Sequence, residues 1–158
     1  MKICFIINSL ETEKPKTSVF IMTKAHQRGH EVYVATVGDF SFSSSAPLGL
    51  HCIGLPEGEN PANAEEFLEQ LKSEDARKTR ISARELDVIF LRNNPTEEED
   101  SRKWAEHAGV AFGRMMQEED VLVLNDAFAL SHAFIDKLYF EELPEEIKLS
   151  VYNYQEQR

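Results

Sequence analysis

Cysteine is scarce in this chain. Two residues among 158, Cys4 and Cys52, cannot frame a disulfide scaffold in a domain this long. Cys4 lies within an apolar run and reads as a small core residue. Long apolar runs are missing as well. Nothing approaches the roughly 20 residues a membrane span requires, and Met1-Lys2 leads into only five apolar residues before Asn8, too few for a signal peptide. The expectation is a cytoplasmic protein with no membrane partner. Basic runs are also lacking. The formal charge is -11 and the cations are scattered, which argues against a nucleic-acid partner. The acidic side chains gather at Glu97 to Asp100, Glu118 to Asp120 and Glu141 to Glu146. They read as solvated helix ends, with a divalent-metal site as the alternative.

Several catalytic signatures are absent too. No Gly-x-Gly-x-x-Gly follows the first strand, and no Gly-x-x-x-x-Gly-Lys-Ser/Thr occurs, so neither standard phosphate cradle is available. The lack of a Gly-x-Ser-x-Gly elbow speaks against hydrolases of that type. His26 and His30 are four apart, but Gly29 breaks the helix between them, and an ordinary helix-end pair fits better than a metal site. His51, His107 and His132 have no Cys or carboxylate constellation at ligand spacing.

What is present is a series of short buried strands with polar ends. Leu86 to Leu91 carries an apolar run, Val88 to Leu91, too short for a helix and closed by Arg92-Asn93-Asn94-Pro95. It reads as a strand at the centre of a parallel sheet. Its carboxyl end is where open α/β sheets hold ligands. Thr96 to Glu99 then forms a Thr-x-x-Glu capping box opening a helix that runs to about Gln117, with Trp104, Ala108, Ala111, Phe112 and Met115 on one face. Ile3 to Ile7 is another buried strand, ending at Asn8-Ser9. Thr17 is positioned to cap a helix with Val19, Met22 and Ala25 inward and Gly29 at its end, and Val32 to Val37 follows as a strand. This unit is a right-handed parallel crossover.

Gly38 to Gly58 is rich in serine, glycine and proline and reads as a long excursion with one edge strand at His51 to Leu55. Asn60-Pro61 has the form of a helix start, with Ala64, Phe67, Leu68 and Leu71 as the buried stripe. Ser73 to Arg84 is highly charged and is expected to be the most mobile stretch. Val121 to Leu124 reads as a further buried strand, ending at Asn125-Asp126. A last helix has Leu130, Phe134, Ile135 and Leu138 inward and Pro144 as its limit. Val151 to Tyr154 is a final strand or a frayed end. One domain is expected, with no repeat or linker.

The strand ends Asn8-Ser9, Arg92-Asn93-Asn94 and Asn125-Asp126 should therefore converge on one edge, which suits a small polar ligand. Arg92 is the sharpest candidate, because a guanidinium can grip a carboxylate or phosphate through two hydrogen bonds. Its alternative is an ion pair that closes the loop onto a neighbouring helix.

These segments resemble a known family. Met1-Lys2-Ile3, the helix end Gln27-Arg28-Gly29-His30-Glu31-Val32, Val37-Gly38-Asp39-Phe40, Leu86 to Arg92, and Val123-Leu124-Asn125-Asp126 with Asp136-Lys137-Leu138-Tyr139 are similar to the amino-terminal domain of bacterial glutathione synthetase. The resemblance covers nearly the whole chain apart from Ser41 to Arg84. It implies a three-layer, Rossmann-like α/β domain with a mainly parallel sheet, of the kind that precedes an ATP-grasp module, assembled as an oligomer; a homodimer is expected from apolar surface on the last helix and the Val151–Tyr154 tail. The family joins γ-glutamylcysteine to glycine through an acyl phosphate formed with ATP and magnesium.

The match places Asn8, Ser9, Arg92, Asn93 and Asn94 on the side of a small acidic peptide of the γ-glutamylcysteine type. It sets Lys137 where the family has a lysine that contacts ATP phosphates; an exposed helical lysine is the alternative. Asn93-Asn94 stand where the family has Lys-Asp, and Asn8-Ser9 where it has Asp-Pro. The chain ends where ATP-grasp domains would begin, so it is expected to hold no cofactor and to have no ligase activity alone. Two other readings remain: a standalone non-catalytic module binding a small ligand or a protein, and the amino-terminal half of a glycosyltransferase.

Overall fold

The computed structural model of the protein describes residues 1–43, 46–93, 105–125 and 127. The apolar run at the amino terminus becomes β1 (Lys2–Ile7), and α1 (Thr17–Gln27) crosses over to β2 (Glu31–Thr36), which pairs with β1 in parallel. Val19 and Met22 bury the inward face of α1, and the helix gives way to Gly29 in a left-handed conformation (φ 82°), both as the periodicity requires. Its start differs by one residue. Lys16 is the cap residue and makes no side-chain cap bond, so Thr17 is the first helical residue rather than the cap.

The excursion after β2 is more ordered than its composition suggests. It forms β3 (Phe40–Ser43) and a nine-residue β4 (Ala46–Gly54). The helix expected at Asn60-Pro61 begins three residues later. In α2 (Ala64–Lys72), Asn63 is the cap, its side chain accepting from Glu66 N at 2.9 Å. The charged stretch expected to be mobile is instead β5 (Arg77–Ser82), paired along its whole length with β4. A 3-10 turn at Ala83–Glu85, closed by a Ser82/Glu85 capping box, then leads into β6 (Val88–Leu91). The last described elements are α3 (Ala105–Glu118) and β7 (Leu122–Leu124). The capping box at Thr96–Glu99, Trp104, the last helix and the Val151–Tyr154 patch lie outside the described residues.

The sheet is mixed α/β and not mainly parallel. β2, β1, β6 and β7 run parallel in that order, with β1 and β6 interior as the two apolar runs require. Beyond β2 the pairings are antiparallel. Gly54 and Ile53 of β4 pair with both β2 and β5, while Leu50 and Gly49 pair with both β3 and β5. β2 and β3 therefore share one side of β4 and β5 takes the other, so the expected edge strand at His51 to Leu55 is interior. A sequence pass sees parallel runs as uninterrupted apolar segments; the short alternating strands of this wing give a weaker signal.

Two cores result. Phe5, Ile7, Val32 and Val34 meet α1 and α2 on one face, around Val19, Met22, Phe67 and Leu71. Cys4, Ile6, Ile89 and Leu91 meet α3 on the other, together with Leu50, Cys52 and Ile81 of the antiparallel wing. That wing curls toward α3. Phe40 of β3 stacks on Phe112 of α3 with ring centroids 4.4 Å apart. The curl also brings Cys52 Sγ to 3.8 Å from Cys4 Sγ although β2 lies between their strands, and both are buried free thiols. The Cys4 thiol is pushed well up by its contact with Cys52 and by burial, which keeps it protonated and inert. On α3 the buried positions include Ala105, Gly109, Gly113 and Met116; Ala111 faces solvent and Met115 is only half-buried. Val123 is buried, but Leu122 and Leu124 on the opposite face of β7 are exposed, so that strand is not covered on both faces.

Candidate functional site

Parallel strands end together, so the carboxyl ends of β2, β1, β6 and β7 define one edge. Ile6 pairs with Leu91, and Arg92 N donates to Ile6 O at 2.8 Å. Carried two residues further, this register sets Asn8 level with Asn93, so the two polar strand ends do meet. Asn8, Ser9, Arg92 and Asn93 are all half-buried.

Alternation along the strand sends Arg92 and Asn93 to opposite faces. On the α1 face, Arg92 Nε donates to Ser18 Oγ in the first turn of α1 at 3.2 Å. Its guanidinium carbon lies 5.7 Å from the Phe90 ring centre, within cation–π range. The ion pair considered as the alternative is not found: among the described residues Arg92 has no carboxylate within salt-bridge reach. Among the described residues the loop is closed onto the neighbouring helix by a neutral hydroxyl, and none of them compensates the positive charge.

On the α3 face, Asn93 lies against Gly109. A Cβ built on Gly109 would stand 3.0 Å from Asn93 Nδ2 and 3.2 Å from Val37 Cγ1, so glycine lets the helix approach this strand end. Asn125 serves the fold. Its backbone is left-handed (φ 57°) and its amide donates to Leu91 O at 2.6 Å. At the end of β2, Asp39 Oδ2 accepts from Thr36 N at 2.7 Å and from Thr36 Oγ1 at 2.8 Å, which fixes the Val37-Gly38 turn. Asn94, Asp126 and Lys137 lie outside the described residues. So the structure joins Asn8, Ser9, Arg92 and Asn93 at one edge but divides them between two faces.

Ser18 and Gly109 were not singled out from the sequence. A helix start near Thr17 already places Ser18 in the first turn of α1, at the edge where β1 ends. Gly109 and Gly113, four apart on one helix face, would have marked a close helix-to-sheet contact. Among the described residues no group of three or more His, Cys, Asp or Glu side chains is placed to hold a metal ion. No helix among them is long and apolar enough to cross a membrane.

Comparison with known proteins agrees with this architecture. Residues 1–130 match the family of the prokaryotic glutathione synthetase N-terminal domain. The chain is also 56% identical over 98 residues to a glutathione synthetase of Gloeobacter violaceus, a match covering 60% of this chain and 27% of that relative. The match thus spans about a quarter of the relative's length. The chain belongs to the prokaryotic glutathione synthetase N-terminal domain family.

Proposed function

We propose that this chain acts as the substrate-side amino-terminal domain of a glutathione-synthetase-like, ATP-dependent carboxylate–amine ligase. Arg92 would take a carboxylate of a γ-glutamylcysteine-like peptide. One observation carries the reading: a half-buried guanidinium fixed at the carboxyl end of an interior strand, without a carboxylate partner among the described residues. A strand-end backbone is held by the sheet, and Ser18 and Phe90 orient the side chain, so little ordering remains to be done on binding. Asn8 and Asn93 are neutral amides at the same edge and add no competing negative charge. The other family attributes are proposals of the same standing. These are ATP and magnesium held by ATP-grasp domains of a whole ligase, a homodimer, and a cytoplasmic setting.

The test is titration of ¹⁵N-labelled protein with γ-glutamylcysteine. Shifts should perturb residues around Arg92, Ser18 and Asn8, with an affinity near millimolar, about -4 kcal/mol. Arg92→Ala should abolish them. Unchanged wild-type spectra would end the reading.

A further inference from the structure

A second group of cations without ion pairs among the described residues lies on the antiparallel wing. His51 pairs with Arg80, and Ile53 with Lys78, so these four side chains share one face, the face of α1 and α2. Two clefts open there. One, of about 490 Å³, is bordered by Leu10, Glu11, Leu71, Lys72 and Ala76; the other, of about 420 Å³, by Asp39, His51 and Arg80. Ile53 and Lys78 line both, so the clefts adjoin along β5.

Glu11 and Asp39 also line the groove, but among the described residues its cations form no ion pair. Lys72 Nζ donates to the backbone carbonyls of Glu11 and Glu13, both at 3.1 Å. Arg80 donates to Ser41 Oγ at 3.1 Å and to Pro47 O at 2.6 Å. Exposed Lys78 makes no hydrogen bond or ion pair among the described residues. Of these two carboxylates, that of Asp39 at the far end is engaged by Thr36. In a chain with 28 acidic residues and 17 Lys and Arg, a groove with three cations against two carboxylates, and no ion pair among the described residues, favours an outside anion. β5 pairs only with β4 among the described residues, so its outer edge is open there. Cations on an edge strand repel a second copy of the same strand, and they favour an acidic one.

We propose that this groove binds an extended acidic peptide segment lying along β5, with carboxylates at alternate positions meeting Lys78 and Arg80. The spacing supports this occupant. Lys78 and Arg80 are two residues apart on a strand, about 6.6 Å, and an extended peptide presents every second side chain at the same interval. Main-chain groups of β5 would add hydrogen bonds, and the cations would select the sequence. The proposal is independent of the ligand reading for Arg92.

The test is fluorescence anisotropy with labelled acetyl-Thr-Glu-Thr-Glu-Thr-Glu-amide at low salt and pH 7. Saturable binding is expected, weakening with salt and absent for the matching glutamine peptide. Lys78→Glu should weaken it tenfold or more. Because Lys78 has no partner to lose among the described residues, circular dichroism should show that variant folded, and Lys78→Ala provides a milder check. Arg92→Ala should leave the binding intact. Failure of the peptide to bind, or binding indifferent to Lys78→Glu, would overturn the proposal. So would equal competition by inorganic phosphate at the same concentration, since that would mark a site for any small anion.

Discussion

On one side of β2 the sheet is parallel, and its strands finish at a common edge. On the other side it is antiparallel, and strands alternate in direction, so no single edge collects their ends. The parallel half concentrates polar strand ends around Arg92, which among the described residues is held by neutral groups. The antiparallel half spreads its charged side chains along a strand face, at Lys78 and Arg80. Direction of pairing thus decides whether a small ligand is met by converging loops or an elongated one by a side-chain row.

The strongest way to break this comparison is to loosen the parallel core. Ile89 is fully buried on β6 between the two strands that carry Asn8 and Asn125. Ile89→Ala should cost about 3 to 4 kcal/mol, the transfer term plus a cavity that a central strand cannot collapse. Urea denaturation would show it as a lowered midpoint at unchanged slope. A loss under 1 kcal/mol would mean that this half is not the scaffold. In the antiparallel half the sharper probe is Gly49. A Cβ there would stand 2.6 Å from the backbone oxygen of Ile81, and a backbone atom in a paired ladder cannot yield cheaply. Gly49→Ala should cost about 2 to 3 kcal/mol by forcing β4 from β5, and it should weaken the acidic peptide without altering the Arg92 region. Normal stability would show that the two strands separate easily.

The parallel half was legible in the sequence and the antiparallel half was not, and the difference has physical causes. Ile3 to Ile7 and Val88 to Leu91 announced themselves because a strand covered on both faces tolerates no polar residue. β5, by contrast, reads Arg-Lys-Thr-Arg-Ile-Ser. Only Ile81 is buried in it, so composition suggested a mobile segment while pairing with β4 made it a strand. At the site, Arg92 and Asn8 followed from strand ends alone. Ser18 did not, because a first-turn serine more often serves its own helix, and here it serves a strand 74 residues away. The separation of Arg92 from Asn93 follows from strand alternation, which the sequence contained once β6 was placed.

Tyr33 joins the two halves, since it stands on β2 between β1 and β4. Burial and the hydrogen bond it donates to Glu31 push its phenol from 10 up to about 12, with the Arg77 guanidinium donating to the same oxygen and opposing the rise. The folded state holds this proton more tightly than the unfolded chain does. The associated stability is therefore complete below pH 10 and is lost as pH climbs toward 12, on the order of 2 kcal/mol. Denaturation midpoints measured between pH 9 and 12 should fall more steeply for the wild type than for Tyr33→Phe. Parallel slopes would show that the junction does not restrain the phenol.

The smallest effect sharpens the parallel half at one atom. Ser18→Ala removes the hydroxyl that accepts from Arg92 Nε and leaves the Phe90 contact in place. An exchange of one neutral acceptor for water should cost about 0.5 to 1 kcal/mol of stability. The effect on binding depends on what the hydroxyl does. If Ser18 orients the guanidinium for a carboxylate, its loss frees rotamers that the ligand must then order, and affinity for γ-glutamylcysteine should fall a few-fold. If Ser18 instead competes for the same N–H, the ligand inherits a free donor and affinity should rise. A fork with five donors has others to offer while Nε stays on the serine, so orientation should prevail and affinity should fall. Titrating Ser18→Ala beside the wild type under identical buffer decides between the two, and a tighter complex would reverse the role given to Ser18.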